Sequence, residues 1–324
     1  MGDFENAMKI LKRFGEARTG VSIPDIEVIP TGIFDLDNYV LGVKGIPRGR
    51  ILELSGEPNC GKSTLAEHII ASIQKMGGLA VYFNLEGTYD PKWGALAGID
   101  NEKLILPPIK WGEDIFDQIL SLLGVADIIV LDSLARLRSK DILIRTMNDG
   151  KKVAANAGMN EMGFGHIVTG TYNTSGKQLT PKISETKTIL IVVNQIRDII
   201  GAMYGPTQKT PGGWAHLHDY SIRLSMSKAK YEKDGEHHKQ KIKVKCIKNK
   251  LAPPLRSCEF YLSEDNKLEQ DEASIVLNLA ITKDFIKKSG SWLKCDKFPD
   301  GKLQGLTKFA EWLEDNPDFV DLLK

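Results

Sequence analysis

ILELSGEPNCGKSTLAEHIIASIQKMGGLAVYFNLE, residues 51–86, places two apolar runs on either side of a glycine-bearing turn and a periodic segment. ILELS (51–55) and AVYFNL (80–85) are short, β-branched and continuous rather than alternating, the pattern of strands buried on both faces of a parallel sheet. Between them, STLAEHIIASIQKM (63–76) spaces Leu65, Ile69, Ile73 and Met76 by three and four residues, which predicts a helix with one apolar stripe. Gly77-Gly78 supplies its stop. Strand, helix and strand over so few residues make a βαβ crossover, so the core is α/β with a mostly parallel sheet.

Working outward, DIIVLD (127–132) and TILIVVN (188–194) repeat the buried-strand pattern. YSIRLSMSKAK (220–230) and KQKIKVKCIK (239–248) instead alternate with period two around Asp234-Gly235, which predicts an antiparallel hairpin. Ile222, Leu224, Met226, Ile242, Val244 and Cys246 then face inward and the lysines outward. Residues 4–14 place Phe4, Met8, Leu11 and Phe14 on one face of a short helix that needs a packing partner. The following stretch with Pro24 and Pro30 reads as a linker. After Asp271 the pattern turns helical over 285–288, 305–313 and 319–323, with a turn at Pro299-Asp300-Gly301. The expected organisation is an arm and linker over 1–30, an α/β core over 31–268 and a small α+β domain over 269–324.

Composition narrows the class. The 324 residues are 42% hydrophobic and 26% charged, a soluble globular balance with length for about two domains. No apolar run approaches the length of a membrane span, and the charges of MGDFENAMKILKRFG come too early for a signal peptide. Cys60, Cys246, Cys258 and Cys295 form no CxxC pair, so neither a disulfide framework nor a zinc module is expected, and the cytoplasm is the expected location. Forty-three basic against 42 acidic residues give a net +1, but Ser221–Arg256 carries eleven basic and three acidic residues. That segment fits either a polyanion partner or a solvated strand face.

Gly56-Glu57-Pro58-Asn59-Cys60-Gly61-Lys62-Ser63 matches G-x-x-x-x-G-K-[ST], between a strand and a helix as a phosphate-binding loop requires. Its backbone N–H groups converge on phosphate oxygens at the positive end of the helix. Lys62 reaches the β- and γ-phosphates, and Ser63 offers a hydroxyl to Mg²⁺. Asp132, ending an apolar strand, is a candidate for the magnesium shell. Glu86 ends another and is a candidate to activate water, with a surface cap as the plainer alternative. Gln195 follows TILIVVN and is a candidate γ-phosphate sensor. The Gly-rich stretch 196–214, with Tyr204, is either a loop that orders when nucleotide binds or an insertion without a role.

Five ordered motifs, GEPNCGKST, FNLEGTYDP, DIIVLDS, VVNQIR with its Gly-rich loop, and IKNKLAPP, resemble the RecA family of recombinases, bacterial or phage-encoded. The resemblance runs from about residue 5 to the C-terminus. It implies a RecA-like P-loop ATPase core, ATP and Mg²⁺ as cofactors, and a homo-oligomeric filament. The filament would form on single-stranded DNA, pair it with homologous double-stranded DNA, and hydrolyse ATP in a DNA-dependent manner. Residues Gly56 to Thr64 would cradle ATP, with Asp90 and Trp93 at the adenine and Trp standing where Tyr is usual. Glu86 would polarise water, Ser63 and Asp132 hold the metal, and Gln195 couple the γ-phosphate to the second DNA loop. Lys248 and Lys250 would cross the subunit interface to the neighbour's γ-phosphate. DNA contacts would come from Met162 and Gly163 in a first loop, and from Arg197, Ile200, Tyr204, Gly212 and Gly213 in the second. The helix at 4–14 would dock on the next subunit. The sequence departs from the family where Ile167 and Thr174 replace arginines after the first loop and Trp214 replaces a smaller polar residue. Rival readings are a hexameric helicase-type motor on the same core and a nucleotide-gated DNA-binding scaffold without strand exchange.

Overall fold

The computed structural model describes residues 3–12, 25–137, 179–198, 208–209, 215–234 and 237–323. Nine strands form its main sheet: β1 (Ile51–Gly56), β2 (Ala80–Asn84), β3 (Leu104–Ile105), β4 (Ile128–Asp132), β5 (Ile189–Gln195), β6 (Ile222–Asp234), β7 (His237–Asn249), β8 (Ser257–Ser263) and β9 (Leu268–Glu269). Their order is β9-β8-β7-β6-β1-β5-β4-β2-β3. From β6 through β1 to β3 all neighbours are parallel, whereas β6 to β9 pair antiparallel. The helices are α1 (Asp3–Leu11), α2 (Lys62–Lys75), α3 (Pro91–Leu96), α4 (Gly112–Leu122), α5 (Leu179–Thr186), α6 (Ala215–Asp219), α7 (Glu272–Thr282) and α8 (Gly305–Asp315).

The continuous apolar runs become central strands because successive side chains serve opposite faces, and both faces are covered. Leu52, Leu54, Val130 and Ile191 join Leu65, Ile69 and Ile73 of α2 in one core. Ile51, Phe83, Ile129, Leu190 and Val192 join Ile115 and Ile119 of α4 and Ile183 of α5 in the other. Each such side chain, fully buried, contributes about 1.5–3 kcal/mol of transfer free energy. From β1 the chain passes through α2 to β2, fills β4 and β5 back towards β1, then leaves for β6 on the far side. Connections therefore diverge between β1 and β5, and the crevice at their carboxyl ends is where α/β sheets take ligands.

The predicted hairpin forms in the expected sense, with Ile222, Leu224, Met226, Ile242, Val244 and Cys246 all buried. Its register shifts at two places: Ala229 is extra on β6, between Lys228, paired with Ile242, and Lys230, paired with Lys241, and a second irregularity lies at the other end of the pair. Leu224 pairs with Cys246 and Arg223 with Lys248, so Ile247 is an extra, bulged residue. The bulge turns Lys248 from the core face, where strict alternation would put it, to the face of Arg223.

Three expectations are corrected. Residues 287–289 form a strand, not a helix, paired with Trp292–Lys294, which pairs in turn with Lys302–Gln304. Asp284, at φ 60°, ends the helical path, and a two-residue loop starting at Gly290, also φ 60°, closes the hairpin. Met76 does not extend the α2 stripe; it lies exposed beyond the last turn. The stretch read as a linker reaches the core by residues 28–29, which pair with Ile46–Pro47 and bury Ile29 completely. Helix α1 buries none of its side chains within the chain, leaving Phe4 and Leu11 exposed, and Phe14 lies outside the described residues.

The C-terminal residues gather their own core, with Phe298, Phe309, Trp312 and Phe319 in edge-to-face contacts. It meets the main body where the buried Asp35 carboxylate accepts from Ser274 Oγ at 3.1 Å and Asn278 Nδ2 at 2.8 Å.

Candidate active site

The loop from Gly56 to Ser63 leaves the end of β1 and turns directly into α2. Its glycines are required by space and by backbone. A Cβ on Gly56 would collide with the Met226 carbonyl oxygen, and Gly61 stands at φ 77° under the Ile242 side chain. Asn59 also takes a left-handed conformation, φ 58°, which Asn tolerates better than most residues. Gly61 is the N-cap of α2 and carries no side chain to satisfy the free N–H groups of the first turn. Those groups and Lys62 converge on a cavity of about 220 Å³. It is lined by the loop from Pro58 to Thr64 and by Glu86, Asp132, Ser133, Val193 and Gln195. The Lys62 ammonium donates to the Glu57 carbonyl at 2.6 Å and lies 3.7 Å from Cys60 Sγ. The Cys60 thiol is buried, and burial raises its pKa.

Opposite the loop, the strand ends bring three predicted residues together. Gln195 Nε2 donates to Glu86 Oε1 at 3.0 Å, and Ser133 Oγ donates to the same oxygen at 2.9 Å. Asp132 accepts from Tyr82 Oη at 2.8 Å and from the Ser63 hydroxyl. Burial raises the Asp132 carboxyl, Ser63 and Tyr82 pull it down, and the Glu86 charge raises it again. Tyr82 is held neutral by burial and by the adjacent Asp132 charge. The Asp132–Ser133 peptide is cis. The Ile196 N–H donates to the Gly56 carbonyl at 3.3 Å, so the base of the 196–214 stretch is tied to the start of the phosphate loop.

These residues fit the groups expected there. Unpaired N–H donors at a helix start, with an ammonium beside them, suit phosphate oxygens. A hydroxyl and a carboxylate, both hard oxygen donors, suit Mg²⁺ that keeps its remaining ligands from phosphate and water.

The remaining described candidates do not line the cavity. Asp90 caps α3, accepting from Lys92 N–H at 2.9 Å, and Trp93 is 38% exposed rather than packed in a core. Lys248 Nζ donates to the carbonyls of Leu217 at 2.7 Å and His218 at 3.1 Å; Lys250 Nζ donates to His218 at 3.0 Å. Both lysines thus hold the last carbonyls of α6, which follows the 196–214 stretch. Burial, and then the neighbouring Lys250 and Arg223 charges, lower the Lys248 pKa. Arg197 lies in a two-residue strand paired with Gln208–Lys209. Met162, Gly163, Ile200, Tyr204, Gly212 and Gly213, with Ile167, Thr174 and Trp214, lie outside the described residues.

Sequence reasoning missed Ser133, Tyr82 and Asn194. Ser133 directly follows Asp132 and could have been found by asking what continues past a strand-ending carboxylate. Tyr82 and Asn194 stand inside strand patterns that read as apolar filling.

The RecA N-terminal domain family matches residues 5–267. The chain is 35% identical over 327 residues to Protein RecA of Lactobacillus johnsonii, covering 98% of this chain and 85% of that one. It is 34% identical over 330 residues to Protein RecA of Thermus aquaticus, covering 99% and 92%. With Protein RecA of Chlamydia muridarum it shares 36% over 308 residues, 94% and 82% of the two chains.

Proposed function

This chain belongs to the RecA family, and from that premise we propose that it is an ATP-dependent recombinase. It binds nucleotide, hydrolyses it, binds DNA and associates with copies of itself. The nucleotide is ATP with Mg²⁺, the DNA is a single strand coated by the filament and paired with a homologous duplex, and the location is the cytoplasm. Among the described residues no helix is long and apolar enough to cross a membrane. The chain is organised as an arm up to about residue 30, an ATPase core to about residue 268 and a small C-terminal domain.

One observation carries the reading: the Glu86 carboxylate is held between the Gln195 amide and the Ser133 hydroxyl at the mouth of the phosphate-loop cavity. ATP supplies the phosphoanhydride to be broken, and Mg²⁺ spreads the charge that develops on its oxygens. Lys62 and the α2 N–H groups bind the phosphates, while Ser63 and Asp132 orient the metal. Glu86 orients water and takes its proton on Oε2, the oxygen that Gln195 and Ser133 do not engage. Asp90 and Trp93 face the adenine. The Gln195 amide exchanges Glu86 for a phosphate oxygen, which changes the base of the 196–214 stretch. Arg197, Ile200, Tyr204, Gly212 and Gly213 of that stretch, with Met162 and Gly163, grip the strand largely without regard to sequence. Lys248 and Lys250 leave the α6 carbonyls to neutralise charge on a neighbour's nucleotide. Differential contacts of this kind shift the filament between states that hold and release DNA.

ATP turnover measured with and without single-stranded DNA, with filaments imaged in the same samples, tests the reading. Stimulated turnover and filaments support it. Turnover indifferent to DNA in an unassembled protein contradicts it, and unwinding of a forked duplex points to a motor instead.

A further inference from the structure

Glu53 lies in the middle of β1, on a strand sealed on both faces, and its carboxylate is fully buried. An isolated buried carboxylate costs several kcal/mol. Here both oxygens are engaged. Oε2 accepts from Arg223 Nε at 2.6 Å, and Oε1 accepts from Asn194 Nδ2 at 3.1 Å. Arg223 is the residue beside Glu53 in the parallel β6–β1 register, so the ion pair follows from the sheet itself. With its Nδ2 committed to Glu53, the Asn194 amide turns Oδ1 to the backbone N–H of Gln195, 3.0 Å away. The Gln195 side chain then reaches Glu86. A continuous row of hydrogen bonds therefore runs from the hairpin strand β6 across β1 and β5 to the water-orienting carboxylate. A buried ion pair adds little net stability over two well-packed apolar residues. Two apolar residues would leave Asn194 without the acceptor that fixes its orientation.

We propose that Glu53, neutralised by Arg223, is a positioning residue for Gln195. Acting through Asn194, it sets the backbone from which the Gln195 amide meets Glu86 or the phosphate, and from which the 196–214 stretch departs. The inference rests on the role of Gln195 given above.

Two double variants separate the hydrogen bond from the ion pair. Glu53→Gln with Arg223→Met removes both charges but keeps an acceptor for Asn194; Glu53→Met with Arg223→Met removes the acceptor as well. DNA-stimulated kcat is expected to stay within about twofold in the first and to fall about tenfold in the second, with nucleotide affinity unchanged in both. Adding Gln195→Ala to the second should cause no further loss, since the two changes disable one unit. Full turnover in both variants overturns the proposal. So do equal losses in both, or a loss that multiplies with Gln195→Ala. If the second variant does not fold, Asn194→Leu reads the same step, with about tenfold lower kcat and the same non-additivity expected; full turnover there is equally fatal. The premise fails separately: a Gln195→Ala variant of otherwise unchanged sequence that turns over normally removes Gln195 from the reaction.

Discussion

The two halves of the nine-stranded sheet are built by opposite rules. In the parallel half, β1, β4 and β5 are buried on both sides, and polar groups that act on a ligand gather at the carboxyl ends, where the strands stop. In the antiparallel half, β6 and β7 are apolar on one side only, and Lys243 and Lys245 stand exposed on the other. One half gathers a cavity at its strand ends; the other presents lysines on its outer face. They meet at β1 and β6, where Ile242 packs over Gly61 and Arg223 pairs with Glu53. Under the proposed function the two halves carry separate tasks, phosphate chemistry in one and contact with a neighbour in the other, and substitutions in each half test that division.

The largest effect is expected in the parallel half. Lys62→Ala should lower ATP turnover by about 10⁴-fold through lost phosphate binding, and calorimetric affinity for ATP checks the cause. In the antiparallel half, Lys248→Ala with Lys250→Ala should lower DNA-stimulated turnover by about 10³-fold, while a single chain still binds ATP. Loss of that binding would erase the distinction between the halves. Glu86→Gln should slow hydrolysis by about 10²-fold and leave both nucleotide binding and filaments intact. A smaller effect contrasts the two faces of one strand. Ile242→Ala should cost about 3 kcal/mol in denaturant unfolding, since it empties a fully buried site against Gly61. Its neighbour Lys243→Ala should stay within about 0.5 kcal/mol.

The smallest effect concerns Glu67, one turn into α2 beneath the parallel half. Burial raises its carboxyl to about 7, against a hydrogen bond from Asn266 that lowers it. A raised acid is most stable protonated, so its share of stability is full below its ordinary value of 4.5 and is lost as pH rises towards about 7. Thermal unfolding of Glu67→Gln should show a flatter pH profile over that window and a relative gain above it. Parallel profiles for the two proteins would remove Glu67 as the cause.

Much of this was legible from periodicity. The runs at 51–55, 80–85, 127–132 and 188–194 declared a parallel sheet because no solvated strand is apolar on both sides, and the loop at 56–63 declared phosphate because few other sites need that glycine spacing. The strand at 287–289 was misread because four residues cannot distinguish helix from hairpin, and the turn at Gly290 carried the answer. Glu53 drew no attention within ILELS, although a carboxylate in a doubly buried strand must have partners.

Glycine spacing, strand composition and the two-residue alternation of the hairpin are local properties, and they specified the α/β core, the phosphate loop and the outward lysines. Partner choice is not local. The contact of Glu86 with Gln195, the pairing of Glu53 with Arg223 and Asn194, and the bulge that turns Lys248 towards Arg223 depend on which strands become neighbours and in what register. Residues more than a hundred positions apart meet only after the sheet has closed around β1.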